Sequence, residues 1–142
     1  MIKWAGGLMV FYGTAHTLGA LVVEGAASHG DVWFSREMWG EDFSDMSPAM
    51  SAYWFSVNSF GPSVVLLGLT VLWLDRRGLT PPSFIGWWLA AWVAFGTVVV
   101  GPGIGQDLII LVASALLIVA ARRARRPQQA VGAATPTRGA TT

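Results

Sequence analysis

The chain has 142 residues, of which 54% are hydrophobic and 12% are charged, and its mean hydropathy is +0.54. Soluble domains carry about 25% charged residues, so the composition excludes an ordinary soluble domain and a disordered chain. A net charge of +1 excludes a basic nucleic-acid-binding protein, and the lack of cysteine excludes disulfides, zinc thiolates and cysteine nucleophiles. The class that remains is an integral membrane protein, whose first partner is the lipid bilayer.

Four segments are long and apolar enough to cross the hydrocarbon core as helices, which takes about 20 residues and at least about 17. Three of them carry no charge, and the fourth carries only Asp107 near its start. Period-2 alternation is absent, so helices are expected instead of barrel strands. The sequence therefore predicts an all-α membrane four-helix bundle over residues 1–126, with spans at 4–23, 49–74, 83–100 and 104–121.

The basic residues predict the orientation of these spans. Arg36 is the only one of the nine Lys and Arg residues in the loop after the first span; the others precede the first span, join the second to the third, or follow the fourth. Because basic residues favour the cytoplasmic side, both termini are predicted to be cytoplasmic. The chain contains eight Arg and a single Lys and is rich in Ala, Gly and Val, which is typical of a high-GC bacterial genome. The predicted location is therefore a bacterial cytoplasmic membrane. Residues 127–142 predict a disordered cytoplasmic tail.

The first external loop, residues 25–48, mixes aromatic with charged residues. Trp33, Phe34, Trp39 and Phe43 alternate with acidic side chains, which is typical of an amphipathic segment lying at the membrane surface. Two interpretations stay open at this stage, an interfacial anchor or a lid over a cavity among the helices.

Ionisable residues in or at the ends of the spans are the candidate catalytic groups, because such residues are costly within a bilayer. His16 is the deepest, and Glu24 follows it on the stripe Gly13, His16, Ala20, Glu24, which helical spacing predicts to face the bundle. Asp107 opens the fourth span. Structural alternatives are an interhelical hydrogen bond for His16, a solvated carboxylate for Glu24 and a helix cap for Asp107. We expect no metal and no cofactor, because only one other histidine is present.

Polar residues cluster in the second span, where Pro62 beside Gly61 predicts a kink. A kinked polar segment opposite His16 suits a binding pocket for an apolar small molecule, or alternatively serves only to join helices. The predicted substrate-binding residues are Asn58, Tyr53, Trp54, Ser59 and, in the third span, Trp88.

Several short stretches are characteristic of a known group: Gly13–Gly19, Trp39–Asp42, Met46–Phe55 and Leu74–Gly78. Over about residues 1–125 the chain resembles small four-span bacterial membrane proteins catalogued as a domain of unknown function. The resemblance implies the topology and draws attention to His16, the external loop and the polar second span, but it implies no activity.

Three functions fit these observations. The most specific is a membrane-embedded acid–base enzyme, an isomerase or cyclase acting on an apolar isoprenoid- or polyketide-like substrate, with His16, Glu24 and Asp107 handling the proton. The alternatives are a proton-coupled exporter of lipophilic compounds and a non-catalytic accessory subunit. Convergence of the polar residues on a closed cavity favours the enzyme, whereas a cavity between two copies of the chain, in a homo-oligomer, favours the exporter.

Overall fold

The computed structural model describes residues 1–101 and 106–134, and this part of the chain is all-helical. A π-helical turn at Gly19–Val23 extends α1, and a 3-10 turn at Ala26–His29 precedes α2. The α-helices are α1 (Ile2–Leu18), α2 (Gly30–Ser35), α3 (Pro48–Phe55), α4 (Phe60–Arg76), α5 (Ser83–Val100) and α6 (Gln106–Ala134).

Two helical stretches are long and apolar enough to cross a membrane, Ile2–Val23 and Pro48–Arg76. They correspond to the first two spans predicted from the sequence. A third apolar stretch, Ser83–Val99, is shorter. Length and composition alone support these assignments.

The second predicted span is interrupted between α3 and α4, where residues 56–59 leave the helix. Ser59 ends the interruption because its hydroxyl accepts a hydrogen bond from the Gly61 N–H at 3.2 Å and so caps α4. Pro62 then lies in the first turn of α4, where a missing N–H costs no intrahelical bond. The sequence predicts a kink here, and the structure contains a full break just before Pro62.

A glycine seam joins α1 to α4, which run antiparallel. Gly13 lies against Gly61 and Gly6 lies against Gly68, so that glycines two turns apart on one helix meet glycines two turns apart on the other. A Cβ at Gly13 would lie 2.5 Å from the Gly61 carbonyl oxygen, and one at Gly68 would lie 2.9 Å from the Gly6 carbonyl oxygen. The two backbones therefore approach as closely as small residues at membrane helix interfaces allow.

The four long helices form an open arrangement. α1 packs against both α4 and α6, and α6 packs against α5, whereas α4 and α5 form no comparable interface in the part of the chain that the structure describes. All four helices contribute to one buried core, which includes Met9, Val64, Val71, Leu89, Ile110 and Leu117. The outer sides of α4 and α5 are thus held in place through α1 and α6.

Most charged residues lie at two opposite ends of this bundle, basic residues at one end and acidic residues at the other, with Asp75 beside Arg76 and Arg36 in the external loop as exceptions. Lys3 lies in the first turn of α1, Arg76 ends α4, and the Arg125 guanidinium donates to the Ser83 hydroxyl at 3.3 Å, which ties α6 to the start of α5. At this basic end, Arg77 lies 5.1 Å above the Trp73 ring. The opposite end carries Asp107 and the acidic loop that precedes α3.

The 25–48 loop folds back on α3. The Trp33 indole N–H donates to the Ala49 carbonyl oxygen at 3.0 Å, and its ring meets the edge of Tyr53 at 5.9 Å. Glu41 accepts hydrogen bonds from the Ser47 N–H and hydroxyl, and Ser47 caps α3. The anchor and lid interpretations both stay predictions.

The last helix, α6, reaches Ala134 and so overlaps the start of the predicted tail. Residues 135–142 of that tail, and residues 104 and 105 of the predicted fourth span, lie outside the described residues.

Candidate functional site

The main candidate site is a cavity of about 160 Å³ to which each of the four long helices contributes one large or charged side chain. We call it the aromatic pocket, and its residues are Tyr12 of α1, Phe60 of α4, Trp92, Val93 and Gly96 of α5, and Asp107 and Ile110 of α6. Asp107 is the only charged residue in this set. The pocket therefore presents one carboxylate to three aromatic rings at the acidic end of the bundle.

Phe60 organises the aromatic side of this pocket. Its ring stacks on Tyr12 with centroids 5.9 Å apart and meets Trp92 edge to face at 5.2 Å. Both separations lie in the range in which aromatic pairs are favourable. Phe60 is the first residue of α4, so the helix break fixes where this ring enters the bundle.

Asp107 is half-buried near the start of α6. The Thr97 hydroxyl of α5 lies 3.4 Å from Asp107 Oδ2 and 2.9 Å from the Val93 carbonyl oxygen, so its single proton serves two acceptors. Asp107 and Tyr12 also line the same pocket. Asp107 thus lies within reach of groups from α1 and α5 as well as its own helix.

His16 lies beside the aromatic pocket without lining it. Its ring stacks on Phe60, the residue that organises the pocket, with ring centroids 4.1 Å apart. His16 Nε2 and Thr17 Oγ1 are buried and have no hydrogen-bond partner among the described residues. His16 therefore contacts the site through Phe60 and places no nitrogen in it.

Glu24 lies elsewhere, exposed, in a second pocket of about 270 Å³ that it shares with His29, Ser51 and Phe55. The reason is local. The Glu24 N–H donates to the Gly19 carbonyl oxygen at 3.1 Å, five residues back, so a π-helical turn separates Glu24 from the regular helix that carries His16. Glu24 therefore lies at the exposed end of the predicted stripe, in a pocket that Ala20 of the same stripe also lines.

The predicted substrate-binding residues of the second span lie around the helix break and not in the aromatic pocket. Asn58 is exposed, and its N–H donates to the Tyr53 carbonyl oxygen at 3.0 Å. The Ser59 hydroxyl caps α4. Trp54 meets the edge of Phe43 from the external loop at 5.5 Å. The structure therefore places Trp54 and Tyr53 against the external loop, and Asn58 and Ser59 in the break between α3 and α4.

Trp88 is 74% exposed and lies in a wide apolar groove of about 670 Å³ between α4 and α5. We call this the lateral groove, and its residues are Leu67, Phe84, Ile85, Trp87, Trp88 and Ala91. None of them is charged. The groove occupies the opening that results because α4 and α5 do not pack together.

Three aromatic residues of the pocket, Tyr12, Phe60 and Trp92, were not among the site residues predicted from the sequence. Two signals could have found them. Tyr12 precedes His16 by four residues and so shares its face of α1, and Trp92 follows Trp88 by four residues on α5. The position of Phe60 depends on the break before α4, which helical periodicity through the second span does not show.

Among the residues that the structure describes, no group of three or more His, Asp or Glu side chains could hold a metal ion. Comparison with curated proteins and with solved structures found no match. A family of unknown function, DUF6463, matches residues 1–125, which cover all four long helices up to Arg125. The chain therefore belongs to this family of unknown function, DUF6463.

Proposed function

We propose that the chain is a four-span protein of the bacterial cytoplasmic membrane with both termini in the cytoplasm. The antiparallel pairing of α1 with α4 and the separation of charge along the bundle support this arrangement. Arg77 over Trp73 and Arg122 over Trp87, at 5.1 and 5.8 Å, form cation–π pairs at the basic end. Trp and Arg together are typical of a cytoplasmic membrane interface.

Within this bundle, we propose that the aromatic pocket catalyses acid–base isomerisation or cyclisation of an apolar, isoprenoid- or polyketide-like substrate. The observation that carries the proposal is the presence of one carboxylate, Asp107, in a cavity lined by Tyr12, Phe60 and Trp92. A carboxyl group can donate and accept a proton, and aromatic faces stabilise a cation by roughly 0.5–2 kcal/mol each when it is desolvated. Both features are needed to move a double bond through a cationic intermediate.

The reaction balances without a redox partner. The protonated Asp107 carboxyl breaks its O–H bond and donates the proton to one alkene carbon, whose π pair forms the new C–H bond. The other alkene carbon becomes a carbocation that Tyr12, Phe60 and Trp92 face. The Asp107 carboxylate then removes a proton from a neighbouring carbon, and that C–H pair forms the shifted double bond; in a cyclisation, a second alkene attacks the cation before the proton leaves.

The other ionisable residues have different places in this proposal. His16 is a positioning residue, because it stacks on the Phe60 ring without lining the cavity itself. Glu24 enters no step, because its pocket is separate. An accessory or exporter role would leave the carboxylate and the aromatic rings without this chemical task.

Proton exchange with solvent tests the proposal without knowledge of the product. The purified protein is incubated in D2O with a panel of isoprenoid and polyene lipids, and deuterium incorporation is measured by mass spectrometry. Wild type is expected to label at least one compound at carbon, and Asp107→Asn to abolish labelling. Glu24→Gln, an acid removed outside the pocket, is the matched control and is expected to label at the wild-type rate.

Absence of labelling by wild type across the panel, or full labelling by Asp107→Asn, would overturn the enzyme proposal. In that case, pH-gradient-dependent loss of the same lipids from proteoliposomes would support the exporter instead. Tyr12→Phe separates the ring from its hydroxyl: if Tyr12 acts only through its aromatic face, labelling by this variant stays close to that of wild type.

A further inference from the structure

The lateral groove and the aromatic pocket follow each other along the same two helices. Leu67 lies seven residues after Phe60 on α4, and Trp88 lies one turn before Trp92 on α5. From Phe84 to Trp92 the α5 backbone advances about 12 Å at 1.5 Å per residue. Along α5 the groove therefore lies next to the pocket that contains Asp107, on the side of the basic end, and covers about 12 Å.

The groove opens to the side of the bundle. α4 and α5 form no helix–helix interface comparable with those of α1 in the described part of the chain, and Phe84 and Trp88 are 68% and 74% exposed. The volume of about 670 Å³ lies within the range of small-molecule pockets. An occupant of such a groove can arrive from the hydrocarbon core of the bilayer without crossing water.

Resting on the proposed function, we infer that the substrate is a long-chain isoprenoid or polyene that enters sideways between α4 and α5. Its reacting double bond lies in the aromatic pocket, and about ten carbons of its chain lie in the lateral groove. The chain length follows from the 12 Å of groove, because an extended chain covers about 3.8 Å in three bonds. The uncharged lining favours this occupant over a charged headgroup, and the position of the groove next to the pocket favours a chain long enough to reach both.

Substitutions on α5 offer a matched test. Ala91 lines the groove, whereas Ala94, one turn further along the same helix, is exposed and lines none of the pockets described above. Ala91→Trp fills the groove and Ala94→Trp adds the same side chain outside it. Comparing the two variants separates loss of the groove from a general effect of an added indole in α5.

Binding is measured as the shift in unfolding temperature caused by isoprenoid alcohols of one and three five-carbon units, with concentrations expressed as mole fractions in the bilayer so that partitioning cancels. Wild type and Ala94→Trp are expected to bind the longer alcohol more tightly. Ala91→Trp is expected to lose roughly tenfold in affinity for the longer alcohol, since on the order of ten carbon–carbon contacts are lost, and to bind the shorter alcohol unchanged.

The inference is overturned if Ala91→Trp and Ala94→Trp bind the longer alcohol equally well, or if wild type does not distinguish the two lengths. This outcome is separate from the failure of the proposed function. A protein that shows the expected length dependence but incorporates no deuterium binds such chains without turning them over, whereas deuterium incorporation without length dependence leaves the enzyme and removes the groove from substrate recognition.

Discussion

Replacing one seam glycine by alanine tests how closely α1 and α4 approach. At Gly13 the added Cβ would lie 2.5 Å from the Gly61 carbonyl oxygen and 3.0 Å from the Val65 backbone nitrogen. Backbone atoms cannot move aside as the end of a flexible side chain can, so the helices must separate. Overpacking of this kind typically costs about 1–3 kcal/mol.

The matched control is Gly7→Ala on the same helix, where a Cβ meets nothing within 4 Å. Alanine is favoured over glycine in a helix by about 1 kcal/mol, and this gain is common to both variants. The difference between Gly13→Ala and Gly7→Ala therefore isolates the steric contribution. We expect Gly13→Ala to have a free energy of unfolding about 1–3 kcal/mol below that of Gly7→Ala.

The assay is equilibrium unfolding in mild detergent by titration with a denaturing detergent, followed by far-UV circular dichroism. Equal unfolding free energies for the two variants would refute the close backbone approach. A second variant, Gly61→Ala, would place its Cβ 2.9 Å from the Gly13 carbonyl oxygen and against Thr17. It is therefore expected to displace Phe60, which is measured by Trp fluorescence. It is also expected to lower deuterium labelling more than Gly7→Ala does.

Three further predictions concern single residues. Ser47→Ala removes the cap of α3 and is expected to lower the free energy of unfolding by about 1 kcal/mol, whereas Ser47→Thr retains it; equal losses in the same denaturation assay would contradict a capping role. His16→Phe keeps the stacking on Phe60 and removes a buried unpartnered nitrogen, so it is expected to raise the free energy of unfolding by about 1 kcal/mol. His16→Ala leaves a cavity and is expected to lower the free energy of unfolding by about 2 kcal/mol. A destabilised His16→Phe would show that the nitrogen has a partner. The Ser44 N–H, 2.9 Å from Asp42 Oδ1, holds the pKa of Asp42 below its ordinary value of 3.8. The stability that this contact contributes is therefore present above pH 3.8 and is lost as the pH falls through the lowered pKa. Carboxyl NMR titration measures the pKa of Asp42, and a value unchanged by Ser44→Pro would argue against the bond.

Local chemistry in the sequence predicted the helical class and a kink in the second span, where the structure has a full break. The hydrophobic runs and the positions of charge are properties of single segments, so they can be read without tertiary information. Along the predicted stripe through His16, Gly13 and Ala20 are buried, whereas Glu24, after the π-helical turn, is exposed but lines the same pocket as Ala20. A one-residue change of helical phase leaves no mark in hydrophobic periodicity.

The aromatic pocket was harder to predict because its residues come from four helices. Asp107 was identified as a candidate, but its neighbours depend on which helices are adjacent, and the sequence does not specify that α1 lies between α4 and α6. The seam glycines do carry such information: their equal spacing of seven residues on α1 and α4 predicts the pairing of the two helices once it is noticed. No comparable pattern links α5 to α4.

The glycine seam also determines which movements remain open to the bundle. Both glycine pairs meet in only one alignment of α1 with α4, and sliding by one heptad, about 10 Å, would leave a single pair in contact and press side chains against backbone at the others. The two glycine pairs therefore fix a single alignment of α1 with α4. Any change in the width of the lateral groove therefore comes from movement of α5, which packs on α6, while α1 and α4 stay in register.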